Sequence, residues 1–256
     1  MNKVFKFYST ATIIIMRKER FWEIDAIRGL AIIKMIIFNY SFALAYLGIL
    51  VFKPGLMFQG LAASVFIFLV GLSLTISYSR IKHKDSKQIY KKYFSRGLKI
   101  FGYGMLISLI TFLTFPEAFI IFGVLHFIGI SIIFAQFFLD FKEMNLVLGL
   151  LFVIFGLYLQ SFTFDFPWLL WLGLIPENIL TFDYFPIFPW FGITLIGMYF
   201  GNLFYENGKR RFRINDLSNN SIIIFLSFLG RKSLFIYLIH QPILIIILLM
   251  LGFNVF

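Results

Sequence analysis

Apolar residues run along this chain in long, nearly unbroken blocks, and the polar residues fall mostly between the blocks. A bilayer-spanning helix needs ~20 consecutive, mainly apolar residues. Seven blocks meet or approach that length: 26–49, 56–78, 97–115, 118–139, 146–160, 187–204 and 233–253, the fifth and sixth being the shortest. Asn-Gly or Asp-Gly turns do not separate alternating ten-residue strands here, which disfavours a β-barrel. The stretch 162–184 is long and hydrophobic for a connector and reads as a re-entrant segment between spans five and six. The pattern predicts an all-α integral membrane protein of about seven transmembrane helices.

Composition sharpens that picture. Apolar residues make up 60% of the 256 positions and charged residues 14%, with a mean hydropathy of +0.90. A soluble domain carries roughly 25% charge, so a water-soluble globule is excluded. The 23 Lys and Arg outnumber the 12 Asp and Glu, giving a net charge of +11. Twenty of those cations fall between spans on one side, in the N-terminal arm and around 80–99, 142, 209–213 and 231–232, and only Lys53 falls on the other. The positive-inside rule then places the N-terminus in the cytoplasm and the C-terminus outside. Membrane lipid accounts for the charge without nucleic acid. The multi-pass reading, with high Ile, Phe and Lys content, points to a plasma membrane.

Residues 1–20 form a cytoplasmic arm ahead of a single membrane-embedded domain, 21–256. Lys3 and Lys6 precede a weakly apolar stretch without a small-residue cleavage site, which argues against a signal peptide. Met16, directly before Arg17-Lys18-Glu19-Arg20, reads as the true start. Cysteine is absent, which rules out thiol chemistry and disulfides. Three histidines are too few for a His-rich metal site, so no metal is expected.

Polar groups within apolar spans are costly and mark function when they face protein or water. Asp25, Arg28 and Asn39 share one face of span one. Asp25 also suits the helix dipole and Arg28 a snorkelling role; Asn39, deeper in, has no such bland account. His126 lies between Gly123 and Gly129 in span four, where a lone histidine can equally be an interhelical hydrogen-bond partner. Trp190 follows two prolines at the start of span six and suits an interfacial aromatic belt. Ser233, Tyr237, His240 and Gln241 line one stripe of span seven, with Arg231 and Lys232 at its mouth and Pro242 freeing a backbone carbonyl. His126 and His240 fall at similar mid-membrane depth and would meet if spans four and seven were neighbours.

A buried imidazole can take a proton from an amine or hydroxyl attacking a thioester. Asn39 and Gln241 can donate to the developing oxyanion, and arginines at the mouth can hold phosphates. No phosphate-cradling glycine loop or paired intramembrane carboxylates are present, which disfavours nucleotide hydrolysis and glycosidase chemistry.

Five motifs resemble, in order, those of the heparan-alpha-glucosaminide N-acetyltransferase-like membrane family. They are Glu23-Ile24-Asp25-Ala26-Ile27-Arg28-Gly29-Leu30, Val65-Phe66-Ile67-Phe68-Leu69-Val70-Gly71, Phe122-Gly123-Val124-Leu125-His126, Phe188-Pro189-Trp190-Phe191-Gly192, and Leu229-Gly230-Arg231-Lys232-Ser233-Leu234 through His240-Gln241-Pro242. The resemblance implies a transmembrane acyltransferase that takes acetyl-CoA as co-substrate from the cytoplasm. The acetyl group would pass to an amino sugar or hydroxyl of an envelope glycan or glycolipid outside. The family's lysosomal member uses a histidine in the loop after span one together with an Asn in that span. Asn39-Tyr40 matches the Asn-Tyr pair, but the loop 47–60 contains no histidine, Leu50 standing at about its place. Many bacterial relatives carry histidine where Asn39 stands. Both usual histidine positions being empty, catalysis is assigned to His126 and His240 with Asn39. Asp25, Arg28, Arg96, Lys99, Arg231, Lys232, Ser233, Tyr237, Gln241 and Trp190 are assigned to donor or acceptor binding. The alternative is a non-enzymatic carrier or lipid-binding protein that kept the fold and lost the chemistry. Either reading admits a homodimer.

Overall fold

The computed structural model describes residues 20–51, 56–177, 179–206 and 208–253. The expected start at Met16, most of the N-terminal arm and Lys53 lie outside the described residues.

Eight α-helices make up most of the described chain: α1 (Trp22–Tyr46), α2 (Leu56–Ser79), α3 (Ser86–Thr114), α4 (Val124–Ala135), α5 (Met144–Leu159), α6 (Ile187–Phe204), α7 (Ser221–Arg231) and α8 (Ser233–Met250). Among the described residues, α1, α3, α6 and α8 are long and apolar enough to cross a membrane. Helix α6 packs between α2 and α5, α4 packs on α3, and α7 and α8 run beside α1. Ile67, Phe127, Phe191, Leu195 and Met198 fill the centre of the bundle, while Leu98, Met105, Leu109 and Leu113 of α3 point outward. Apolar side chains on an outer face are what a lipid environment selects. Glycines set the closest crossings: Gly149 of α5 faces Gly192 of α6, and Gly97 of α3 faces Gly129 of α4. Without a hydrophobic driving force between helices in lipid, such small residues let backbones meet closely and gain dispersion contacts.

The structure departs from the sequence pattern at three places. Helix α3 begins at Ser86, eleven residues before the expected span, so Lys92 and Arg96 stand on a helix and not in a loop. The span expected over 118–139 becomes helical only at Val124. The preceding residues pair with the strand-like segment before α6 instead: Phe182 N donates to Ala118 O at 3.1 Å, Phe185 N donates to Phe122 O at 2.9 Å, and Phe122 bridges Tyr184 in parallel. Finally, α7 was not foreseen. Eleven residues reach only ~16 Å, too short for a span. Asn220 caps it by accepting from the Ile222 and Ile223 amides.

The stretch between α5 and α6 holds a two-residue parallel pair, β1 (Thr163–Phe164) with β2 (Ile175–Pro176), and a 3₁₀ turn at Leu170–Leu172 with Leu170 buried. After α6, β3 (Tyr205–Glu206) and β4 (Lys209–Arg210) form a short antiparallel hairpin. Phe188 leaves helical geometry within the first turn of α6 (φ −96°, ψ 128°), as expected for a residue preceding proline.

Candidate active site

Two polar centres lie along α1, one at its first turns and one about three turns further on. The first is a cavity of about 370 Å³ among the start of α1, the end of α2, the start of α3 and Arg231 of α7. Its lining includes six cations, Arg20, Arg28, Arg80, Lys92, Arg96 and Arg231, and a single carboxylate, Asp25. Asp25, in the first turn of α1, pairs with Arg28 Nη1 at 3.2 Å, and Arg28 Nη2 donates to Ser73 Oγ of α2 at 2.9 Å. Lys92 Nζ donates to Ser77 Oγ at 2.9 Å, fastening α3 to α2. Cations converging on a concave, half-enclosed wall raise the local concentration of polyanions, and arginines match phosphate oxygens with paired N–H donors.

Beside this cavity, Glu23 is buried and accepts from both Arg210 Nε and Arg210 Nη2 at 2.6 Å and from Tyr205 Oη at 2.9 Å. The guanidinium groups of Arg80 and Arg210 lie 5.4 and 5.2 Å from the Phe21 ring centroid. The β3–β4 hairpin is thus tied to the first turn of α1.

The second centre joins α1 to α8. His240 is 5% exposed. Its Nδ1 lies 2.6 Å from the carbonyl oxygen of Tyr237, one turn earlier. A carbonyl only accepts, so in the neutral ring Nδ1 carries the proton and Nε2 keeps its lone pair. That lone pair faces Asn39 Nδ2 at 3.2 Å. Tyr40 Oη donates to the His240 carbonyl at 2.8 Å, and its ring stacks on the imidazole with centroids 6.3 Å apart. Beyond the pair, Leu244 and Leu248 pack against Ala43, Leu44 and Leu47, holding the two helices side by side.

His126 has a different setting. Its Nδ1 accepts from the Gly123 amide at 3.1 Å, three residues back, satisfying a donor that α4 leaves unpaired at its start. Nε2 therefore holds the proton and lies 3.2 Å from Ser108 Oγ, which itself donates to Ile120 O. Phe101 meets the ring edge-on and Phe122 stacks on it. Both nitrogens are engaged in holding the turn 120–123 against α3.

Asp183, in the segment preceding α6, links the two histidine-bearing helices. Its Oδ2 accepts from the Val124 amide at 2.9 Å and from Tyr237 Oη at 3.3 Å. Burial drives the Asp183 carboxyl up to about 6, and the two donors pull partly in the other direction.

The structure therefore gathers Asp25, Arg28, Arg96 and Arg231 in the basic cavity and brings Asn39 and Tyr237 to His240. Lys99 and Lys232 are exposed and Ser233 is half-buried, and none of the three lines that cavity. Trp190 packs on Phe185 at 4.7 Å between ring centroids. Gln241 is half-buried one residue beyond His240. Sequence reasoning passed over Arg80, Lys92, Ser73, Ser77 and Asp183. A usable signal existed for four of them: Ser73 and Ser77 share one face of α2, Arg80 directly follows its last residue at helical spacing from them, and Lys92 precedes Arg96 by one helical turn. Among the described residues no cluster of three or more His, Asp or Glu could hold a metal ion.

No curated protein and no solved structure matches the chain. The family described as heparan-alpha-glucosaminide N-acetyltransferase, catalytic, matches residues 20–242, a stretch that contains both polar centres and Asp183, and the chain belongs to that family.

Proposed function

We propose that this protein is a plasma-membrane acetyltransferase that takes acetyl-CoA from the cytoplasm and acetylates an amino sugar or hydroxyl of an envelope glycan or glycolipid outside. The observation that carries this reading is that Asn39, the partner of His240, stands on the same helix as Arg28 of the basic cavity. Arg28 and Asn39 are eleven residues apart, or ~16 Å along the helix axis. Pantetheine has the backbone length of roughly four to five residues and reaches about 16 Å when extended. Phosphates held by Arg28, Arg80, Lys92, Arg96 and Arg231 would leave the thioester near His240. With seven spans and the basic end in the cytoplasm, the acceptor would enter from the opposite face, beneath the segment 162–184.

The chemistry follows from the tautomer of His240. The acceptor nitrogen or oxygen attacks the thioester carbonyl carbon and gives its proton to Nε2. Asn39, released from that nitrogen, turns its N–H toward the oxyanion as the charge develops. The carbon–sulfur bond then breaks, and the leaving thiolate takes the proton from the imidazolium. Arg96 and Arg231 hold the nucleotide end, and Gln241 lies on the acceptor side of the stripe.

The test is calorimetric titration of acetyl-CoA into detergent-purified protein, with dephospho-CoA as comparison, followed by acetyl transfer to glucosamine in proteoliposomes. Micromolar binding that weakens without the 3′-phosphate, together with N-acetylglucosamine formation, is the expected result. The loop 47–60, which has no histidine, favours a carrier as the second reading. Flux of CoA thioesters without acyl transfer would establish that reading instead.

A further inference from the structure

Helix α4 begins at a residue that cannot cap it. Gly123 occupies the N-cap position without a side chain to offer, yet the first amide of a helix needs an acceptor. Asp183, 59 residues later, supplies it through Oδ2, and the same oxygen accepts from Tyr237 of α8. The carboxylate thus serves as a cap donated from another segment, favoured by the positive end of the α4 dipole. Gly123 is what lets it approach, because a β-carbon there would overlap Asp183 Oδ2.

Tyr237 is the residue whose backbone carbonyl fixes the His240 ring, and its own ring lies 5.5 Å from the imidazole. One oxygen therefore connects the start of α4 to the turn of α8 that sets the tautomer and direction of His240. Pro242 has no N–H to give the Leu238 carbonyl, so this turn of α8 lacks one of its backbone hydrogen bonds.

We propose that Asp183 is a positioning residue that acts through Tyr237 to hold His240 against Asn39. This rests on the reading of His240 as the catalytic base. Asp183 touches neither substrate nor imidazole in this role, so its loss should lower kcat while leaving donor affinity intact. Misplacement of a catalytic group by about 1 Å can cost up to ~10²-fold in rate.

The experiment compares Asp183→Ala, Asp183→Asn, Tyr237→Phe and the Asp183→Ala/Tyr237→Phe double variant in proteoliposomes. Asp183→Ala and Tyr237→Phe should each lower kcat roughly tenfold or more, and the double variant should be no worse than the poorer single one. Asp183→Asn keeps an acceptor oxygen and should recover most of the rate. Acetyl-CoA affinity should be unchanged in Asp183→Ala and Asp183→Asn. Gly123→Ala, which crowds the carboxylate without removing any polar group, should reproduce the Asp183→Ala defect. A second readout needs no substrate: the modification of His240 by diethyl pyrocarbonate, followed peptide by peptide with mass spectrometry. It should accelerate several-fold in Asp183→Ala and Tyr237→Phe, and not in Asp183→Asn. Full turnover in Asp183→Ala, additive losses in the double variant, or an unchanged His240 modification rate would each overturn the proposal. A wild-type protein that transfers no acetyl group would refute the acetyltransferase reading alone, since the modification rates still decide whether Asp183 orients His240.

Discussion

His240 Nε2 and Asn39 Nδ2 lie 3.2 Å apart, joining residues 201 positions distant in the chain. The imidazole hydrogen on Nδ1 is directed at the Tyr237 carbonyl, so the nitrogen facing Asn39 is the one able to accept a proton. In the proposed mechanism the Asn39 amide donates first to the resting base and then to the oxyanion. The pair should fail as a unit. His240→Ala is expected to lower kcat by ~10²-fold or more. Asn39→Ala should cost ~10²-fold through the lost oxyanion donor. Neither should change acetyl-CoA affinity, which the proposed function assigns to the basic cavity. Single-turnover acetyl transfer with separate calorimetric binding checks this; unchanged kcat in both variants would remove the pair from the mechanism.

His126 makes the opposite prediction. With one nitrogen on the Gly123 amide and the other on Ser108, the ring supports the turn that opens α4. His126→Ala orphans a buried amide, which costs about 1–3 kcal/mol. The expected outcome is a lower unfolding temperature in detergent, with turnover per folded molecule reduced far less than in His240→Ala. A fully stable but inactive His126→Ala protein would return the base role to His126.

The basic cavity separates cations that line it from cations that only flank the membrane. Lys92→Gln and Arg96→Gln remove cavity-lining charges. Each should weaken acetyl-CoA binding roughly tenfold, the worth of a charge-assisted hydrogen bond of about 1.5 kcal/mol. Lys99→Gln removes the same unit of charge one turn further along α3, but Lys99 is not part of the cavity lining. Its affinity should match wild type. Equal losses in all three variants would mean that net charge, and not the cavity, attracts the ligand.

The extent to which all this was legible in the sequence varies with the kind of contact. The α1 face carrying Asp25, Arg28 and Asn39 and the α8 stripe carrying Tyr237 and His240 both follow helical spacing, and both reappear in place. The start of α4 was not legible, because 118–123 is as apolar as a helix and its partners are the backbone amides of Phe182 and Phe185 and the Thr181 hydroxyl. Asp183 stayed hidden for a related reason. One of its donors is a main-chain amide, which leaves no mark on residue identity. Counting charges identified a basic end but could not sort Lys92 from Lys99, since burial against Ser77 depends on how α3 meets α2. Helix α7 escaped because eleven residues fall below any span-length criterion.

At the basic end, Glu23 accepts three hydrogen bonds from Arg210 and Tyr205 while nearly enclosed. Breaking a buried pair from one side leaves the other charge stranded, which costs about 3–5 kcal/mol when burial is complete. Arg210 is still partly solvated, with 27% of its side chain exposed, so a smaller loss of roughly 2 kcal/mol is expected for Glu23→Ala. Proteolysis of the β3–β4 hairpin, at Lys209 or Arg210, should accelerate in that variant as the hairpin leaves α1. A cleavage rate equal to wild type would show that other contacts hold the hairpin.

Asp183 also gives stability a defined pH dependence. Its carboxyl is raised from 3.8 to about 6, burial being the larger cause and the Val124 and Tyr237 donors opposing it. A folded-state value above the unfolded one means that the folded protein binds the proton more tightly. The contribution to stability is therefore complete below pH ~3.8 and is lost as pH rises through ~6, where the folded protein must accept a buried negative charge. Asp183→Asn cannot ionise and keeps an oxygen for both donors. The difference in unfolding temperature between Asp183→Asn and wild type should widen in favour of the variant between pH 4 and pH 7, then level off. Thermal unfolding in detergent across that range measures it. Parallel curves would mean that Asp183 titrates near its ordinary value, with its carboxylate well solvated despite the two donors.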